Sequence, residues 1–267
     1  KLKKQEWIKK MVERYDYEAA LYIADTISGE KSDYFSLLTL AKNRLLLDFR
    51  GVDIIYNRLP KEKKESCYIP YQDTSVRKYF EYVLSLDVKY KTGHYGDFIR
   101  AISPIISDIF IKMINRHLRV DVYRDLCTSD RQGNYRWNPT RLQEKGNPNI
   151  EKISAALCPL LNFKNNSFPT SFQLFRIIEE LLVEDTELLK TATLLRETEE
   201  KLRNQAAHQI VSVTEESILE NTGYSGERIL NALKKGLEKC GMNIHREDYK
   251  SYDQMNQKII ECMESAL

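Results

Sequence analysis

The scarcity of turn-forming residues is the feature that most constrains the fold of this chain. The 267 residues include only 10 glycines and 7 prolines, about half of the share of roughly 12% that these two residues take in average proteins. A protein built from many short strands needs many turns, and glycine and proline supply the backbone conformations that turns require. The composition therefore predicts an all-α fold.

The charge balance and the cysteines restrict the functional class. The chain carries 41 basic and 39 acidic side chains, which excludes a globally basic nucleic-acid coat and an acidic disordered tail. No apolar run reaches the roughly 18 residues that span a bilayer, and nothing resembles a signal peptide. The five cysteines are widely spaced and form no Cys-x-x-Cys pair, a pattern typical of reduced thiols. We expect a cytoplasmic protein without a membrane partner.

Apolar residues at helical spacing predict a succession of helices in two domains. The tract 60–73 (PKEKKESCYIPYQD) has two prolines, many charges and almost no helical pattern, which makes it the best boundary candidate. We therefore predict a helical connector at 1–73 and a second helical domain at 74–267. The predicted helices are 3–14, a second one that Asp16 caps and Gly29 ends, 33–59, 75–91, 95–118, 171–183, 186–207, 225–240 and 248–266.

Residues 119–145 interleave arginines with aromatic side chains around the turn-forming tract DRQGN. This tract predicts a β-hairpin inserted in the helical domain. Guanidinium and aromatic groups together suit single-stranded RNA, through phosphate contacts and base stacking. The weak substrate-binding candidates are Arg124, Arg131, Arg136 and Trp137. The alternative is an exposed loop whose arginines pair with nearby acids, and that alternative is the more common one.

The stretch KLRNQAAH contains the strongest candidate for chemistry. Walker A, Gly-x-Gly-x-x-Gly, Gly-x-Ser-x-Gly and His-Glu-x-x-His patterns are all missing from the sequence, and we predict no metal and no cofactor. Arg203, Asn204 and His208 form Arg-Asn-x-x-x-His at the end of a long amphipathic helix, a pattern expected by chance only ~0.014 times in this composition. Glu199 lies one turn before Arg203, at the spacing of a helical ion pair that would hold the guanidinium.

These residue types suit cleavage of RNA. The 2′-OH of RNA is an internal nucleophile, so the protein must supply a base, an acid and charge stabilisation at phosphorus. Histidine titrates near neutrality and can serve either proton step, and arginine supplies fixed positive charge for the phosphoryl oxygens. One chain offers one such histidine, whereas a two-fold homodimer would bring two to one cleft. DNA lacks the 2′-OH and is not an expected substrate.

RNQAAH resembles the Arg-polar-x-x-x-His motif of HEPN ribonucleases, and YDYEAAL (residues 15–21) resembles the helical connector of the accessory ribonucleases of type III-A CRISPR systems, the sixth protein of the Csm set. The resemblance implies a HEPN domain, catalytic Arg203 and His208 with Asn204 as the polar motif residue, and unselective cleavage of single-stranded RNA by a homodimer in antiviral defence. It also implies a separate α/β sensor domain that binds cyclic oligoadenylate. Because no parallel-strand pattern occurs and the chain begins at Lys1, we expect that sensor to be absent.

Two other functions are compatible with the sequence. One is a non-catalytic HEPN module, which would act as an antitoxin or as a helper of a nucleotidyltransferase. The other is a helical adaptor that binds protein through its N-terminal bundle. Cleavage of unstructured RNA in excess chelator, lost on changing His208, would distinguish the ribonuclease from both of these alternatives.

Overall fold

The structure is a computed structural model that describes residues 2–28, 33–66, 74–161, 167–208 and 212–265, without the side chains of residues 2, 28, 65, 66, 74 and 203–208. The chain forms two compact units: one comprises residues 1–93 together with 244–267, and the other comprises residues 94–243. The predicted all-α class is confirmed, because the strands in the described parts of the chain are those of one two-stranded hairpin. None of the described helices is both long and apolar enough to cross a bilayer.

The described secondary-structure elements of the first unit are all helical. Its elements are α1 (Leu2–Glu13), α2 (Tyr17–Ser28), α3 (Asp33–Leu45), α4 (Phe49–Arg58), α5 (Lys61–Ser66), α6 (Thr74–Lys91), a 3₁₀ turn (Arg246–Lys250) and α15 (Ser251–Ser265). The prediction of a single helix at 33–59 is wrong, because the first helix ends at Leu45 and a second one begins at Phe49. Leu47 adopts a left-handed conformation with φ 59°, and the Asp48 side chain then caps α4 by accepting from the backbone N–H of Gly51.

A buried ion pair joins three helices of this unit. Arg44 on α3 and Glu81 on α6 are each 1% exposed, and their closest atoms, Nη2 and Oε1, lie 2.9 Å apart. Arg44 also donates to the Ser251 hydroxyl on α15. The predicted division at 73/74 therefore does not separate the compact units, because α6 and α15 share a core with the N-terminal helices. Helix α5 also lies inside the tract 60–73 that we predicted as the domain boundary.

The second unit contains the hairpin and the longest helix. Its elements are α7 (Tyr95–Arg100), α8 (Ile102–Leu118), a π-helical turn (Val122–Leu126), β1 (Cys127–Ser129), β2 (Tyr135–Trp137), α9 (Pro139–Leu142), α10 (Pro148–Leu157), α11 (Ser171–Leu181), α12 (Thr186–His208), α13 (Glu215–Thr222) and α14 (Gly226–Lys239). The predicted helix 95–118 is interrupted at Ala101. Pro104 explains the break, since its ring would clash with the carbonyl four residues earlier in a continuous helix.

The predicted hairpin is confirmed. β1 and β2 pair antiparallel, with Cys127 opposite Trp137 and Ser129 opposite Tyr135. The Asp130 carboxylate accepts the backbone N–H groups of residues 132 and 134, each at 2.9 Å, and Gly133 adopts φ 82°. The turn is therefore closed by local hydrogen bonds, with glycine at the position that needs a positive φ.

Helix α12 packs against α7, α8, α11, α13 and α14. A Cβ added at Gly236 of α14 would lie 3.1 Å from the Ile109 side chain of α8 and 3.5 Å from that of Leu195 of α12. The absence of a side chain at Gly236 thus lets the three helices approach closely. This packing fixes the axis of α12, whose last residues carry the predicted catalytic motif.

Candidate functional site

The N-terminal end of α12 is anchored by Asp185. Its carboxylate accepts the backbone N–H of Leu188 at 2.9 Å and binds the Lys239 ammonium at 3.0 Å. The pKa of Asp185 is lowered, first by the hydrogen bond from Leu188 and further by Lys239. The capping carboxylate therefore stays charged and ties the start of α12 to the end of α14.

The buried face of α12 is mainly apolar, and its buried polar residues are Thr191, Thr198 and Glu199 among those described. Leu188, Ala192, Leu195 and Leu202 are almost completely buried. Glu199 lies on the same face and is 4% exposed, and its described partner is Arg196, with 3.3 Å between Oε2 and Nη1. The ion pair predicted between Glu199 and Arg203 cannot be compared with this geometry, because the Arg203 side chain lies outside the described part of the structure.

The backbone of α12 remains helical through Arg203 and Asn204 to His208. Their side chains are outside the description, so their joint action at a phosphate stays a prediction. Just before the motif, Lys201 donates to the Thr222 carbonyl at the C-terminal end of α13, at 3.1 Å. A cation at that helix end is favourable, and the contact holds α13 beside the last turns of α12.

The hairpin arginines have acidic neighbours. Arg124 pairs with Asp125 at 2.8 Å, and the Arg136 Nε lies 3.8 Å from the Asp130 carboxylate. Arg131 is exposed. Ion pairs of such solvent-accessible guanidinium groups are weak, so a phosphate can compete with Asp125 and Asp130 for them.

Trp137 does not fit the predicted role in base stacking. Its side chain is 2% exposed, and its indole N–H donates to the Gln173 side-chain oxygen at 2.8 Å. Side chains alternate between the two faces of a strand, so Arg136 and Trp137 point to opposite sides of the hairpin. The tryptophan belongs to the core, and the weak assignment of Trp137 as a substrate-binding residue is wrong.

Two exposed phenylalanines that the sequence analysis missed lie close to arginines, one in the hairpin and one on α12. Phe168 and Phe172 are 46% and 45% exposed. The Arg136 guanidinium lies 4.1 Å from the Phe168 ring centre, and that of Arg196 lies 5.6 Å from the Phe172 ring centre. The signal in the sequence that could have indicated them is the pair Phe168 and Phe172, four residues apart on either side of Thr170, the N-cap of α11.

A groove of about 750 Å³ runs between α12 and α14, and we call it the α12–α14 groove. This volume is within the range of roughly 300–1,000 Å³ that is usual for ligand sites. Its lining residues are Thr186, Glu187, Leu189, Lys190, Thr191, Thr193, Leu194, Tyr224, Arg228, Asn231, Ala232 and Lys235. Sequence analysis did not find this groove, because its two sides come from helices about forty residues apart.

In the described ranges, no group of three or more His, Cys, Asp or Glu side chains is placed to hold a metal ion. One ring nitrogen of His117 lies 3.2 Å from the Lys239 carbonyl, a contact typical of a structural histidine at a helix end.

Comparison with known families decides the classification. The family model of the Cas_Csm6 HEPN domain matches residues 68–260, and that of the Csm6 6H domain, a CRISPR-associated domain, matches residues 1–45. This chain belongs to the Csm6 HEPN family. The resemblance drawn from RNQAAH and YDYEAAL is thereby confirmed. The motif Arg203–His208 falls inside the HEPN match.

A solved Csm6 structure supports the same fold. Enterococcus italicus Csm6, bound to cyclic hexa-2′-fluoro-hexa-dAMP, is similar to this chain with a TM-score of 0.69 and 17% sequence identity. The similarity covers 97% of this chain and 56% of that chain, so the present Csm6-family chain spans little more than half of that protein's length. A comparison with the curated proteins finds no match.

Proposed function

We propose that this Csm6-family chain is a metal-independent endoribonuclease that cleaves single-stranded RNA. The observation that carries the proposal is the Arg-Asn-x-x-x-His motif at the C-terminal end of α12, inside the residues that match the HEPN family. Its long helix is anchored at Asp185 and packed along its length, a scaffold that suits a site needing fixed geometry.

The chemistry follows from the nature of RNA. The 2′-OH attacks the neighbouring phosphorus, forming a new P–O bond, while the P–O5′ bond breaks. One histidine accepts the 2′-OH proton and an acid delivers a proton to the departing 5′-oxygen, the roles proposed for His208. Arg203 would stabilise the negative charge that builds on the phosphoryl oxygens. The products are a 2′,3′-cyclic phosphate and a 5′-hydroxyl, and the electron balance needs no metal or redox partner.

We propose that the complete site forms in a two-fold homodimer. The motif offers one histidine per chain, whereas the reaction needs a base and an acid. The sequence places Ala206 and Ala207 between the motif residues, and small side chains let another helix approach. A symmetric contact at this end of α12 would bring two Arg203 and two His208 side chains to one phosphate.

The test is cleavage of an unstructured RNA in excess EDTA. We expect wild-type cleavage, and a decrease of about two to four orders of magnitude for Arg203→Ala and His208→Ala. The matched control is Arg100→Ala, since Arg100 is an exposed arginine on α7 paired with Asp97 at 3.1 Å. DNA and 2′-O-methyl RNA should remain uncut. Full activity in both motif variants, or equal cutting of DNA, would contradict the assignment.

Mixing the two motif variants tests the shared site. By expectation both homodimers are inactive, because the shared cleft has no Arg203 in the one and no His208 in the other. A hybrid dimer keeps one Arg203 and one His208 in that cleft. Partial recovery of cleavage after mixing would support a composite site. A monomeric mass at micromolar concentration with full activity would refute it.

Regulation is proposed from the family as well. Enterococcus italicus Csm6 is bound to a cyclic hexanucleotide analogue, and we propose that an activator of this class acts on the present Csm6-family chain through a separate sensor domain. In the ranges that the structure describes, the two strands form an antiparallel hairpin and no parallel sheet. Such residues lack the crevice at which open parallel sheets bind nucleotides.

A further inference from the structure

The α12–α14 groove combines an aromatic ring with several cations. Tyr224 lies at one side of it, and the Arg228 guanidinium is 4.8 Å from the centre of the Tyr224 ring. The ring is held in place because its hydroxyl donates to Glu197 of α12 at 2.6 Å. Arg228 itself is exposed, so a planar ligand can reach both the ring and the guanidinium.

The charged residues of the groove are mainly cationic. Its lining includes Lys190, Arg228 and Lys235, against the single carboxylate of Glu187. Both lysines bind that carboxylate, Lys190 at 3.3 Å and Lys235 at a shorter distance. Two ammonium groups on one exposed carboxylate leave an excess of positive charge, which an anionic ligand can neutralise.

The lysines, the arginine and the aromatic ring of the groove favour a nucleic-acid strand over a protein. The core of a protein interface is depleted in lysine and glutamate, and the groove presents both. Single-stranded nucleic acids, by contrast, are bound by positively charged grooves that also offer aromatic rings for stacking. The exposed amide of Asn231 adds a donor and an acceptor that can meet the edge of an unpaired base.

The groove lies at a distance from the motif, on the same helix. Leu194 is the groove residue of α12 nearest to Arg203 in sequence, and nine residues of helix correspond to about 14 Å along the axis. The motif and the groove therefore lie at different levels along α12. A strand cleaved at the motif could still pass through the groove with its flanking nucleotides.

We propose that the α12–α14 groove binds the flanking nucleotides of the single-stranded RNA substrate, a proposal that rests on the ribonuclease function proposed above. A base stacks against Tyr224 and Arg228, and phosphates displace Glu187 from Lys190 and Lys235. The groove thereby lowers the dissociation constant of long RNA and contributes nothing to the chemical step. It would favour long unstructured strands over short oligonucleotides.

Binding is measured first, by fluorescence anisotropy with a long 2′-O-methyl RNA that cannot be cleaved. Tyr224→Leu should weaken binding about tenfold or more, the usual scale for losing one stacked base. Tyr224→Phe keeps the ring and loses only the hydrogen bond to Glu197, so it should weaken binding clearly less than Tyr224→Leu. The double variant with Lys190→Ala and Lys235→Ala should make the decrease of log K with log salt less steep by about 1.4, since each phosphate contact contributes roughly 0.7 to this slope for single strands. Lys152→Ala, an exposed lysine on α10, is the control.

Cleavage then separates binding from chemistry. Tyr224→Leu should raise KM for long RNA with little change in kcat, and it should leave cleavage of a dinucleotide unchanged. Wild-type affinity in all groove variants would overturn the proposal. A loss of dimer mass in the groove variants would also overturn it and would assign the groove to a protein interface. If wild type binds RNA through the groove but never cleaves it, the proposed function fails and the binding site stands.

Discussion

Replacing Glu81 with leucine should destabilise the first unit more than any exchange of an exposed charge. Arg44 and Glu81 are each 1% exposed, and the guanidinium donates to the carboxylate from both Nε and Nη2, at 3.1 and 2.9 Å. The guanidinium also lies 4.5 Å from the centre of the Tyr252 ring. Burial is the largest single influence and would lower the pKa of Arg44, but the charge and hydrogen bonds of Glu81, together with the nearby tyrosines, outweigh it and leave this pKa raised. Arg44 therefore stays protonated in the core.

The magnitude follows from what Glu81→Leu leaves behind. A buried guanidinium without its carboxylate costs about 3–5 kcal/mol of folding free energy. The matched control is Glu18→Leu, because Glu18 pairs with Lys42 at a similar 3.0 Å while its side chain is 81% exposed. An exposed pair contributes only about 0–1 kcal/mol. The difference between the losses of unfolding free energy in the two variants measures how much burial adds to the cost of removing a glutamate from an ion pair.

The assay is thermal unfolding followed by circular dichroism at neutral pH. A loss of 3–5 kcal/mol should lower Tm by roughly 6–20 °C for Glu81→Leu, at about 2–4 °C per kcal/mol for chains of this size, and Glu18→Leu should move it by only a few degrees. Combining Arg44→Met with Glu81→Leu should recover much of the stability, since apolar side chains can replace a buried pair. Equal shifts in the two single variants would refute the reasoning.

Two further predictions concern thiol reactivity and ligand binding. Burial raises the pKa of the Cys127 thiol to about 12. Iodoacetamide at about pH 8 should therefore modify exposed Cys158 and leave Cys127 unmodified, and Cys127 should react only as the pH approaches 12. Equal labelling of the two cysteines by mass spectrometry would contradict this. Calorimetry with cyclic tetra- and hexa-adenylate should detect no binding to this chain, and a saturable heat signal would place the activator site within these residues.

Features that depend on neighbours in sequence were predictable. The low glycine and proline content, with apolar residues at helical spacing, predicts the helices now numbered α6, α11, α12 and α14 close to their bounds. The DRQGN tract predicts the hairpin because Asp130 and Gly133 close the turn through contacts inside the tract itself. The family was also predictable, since RNQAAH and YDYEAAL are contiguous motifs.

Breaks in the helices were less visible. Apolar residues continue across the junction of α3 and α4, so periodicity alone joins the two helices. The break requires a left-handed conformation at Leu47, a residue type that has no preference for it. A leucine there is tolerated because the cap at Asp48 and the packing of both helices compensate for the strain.

Only the tertiary structure decided the unit boundary, the position of Trp137 and the α12–α14 groove. Arg44 meets Glu81 and Ser251 across 37 and 207 residues, and Tyr224 meets Glu197 across 27. No local pattern encodes contacts at such separations. In the sequence, the adjacent Arg136 and Trp137 are equally good candidates for contacts with nucleic acid. Only the packed core shows that Trp137 faces inward. Sequence neighbours determine which segments form helices and which motifs they carry, whereas burial of side chains from distant segments determines which residues meet.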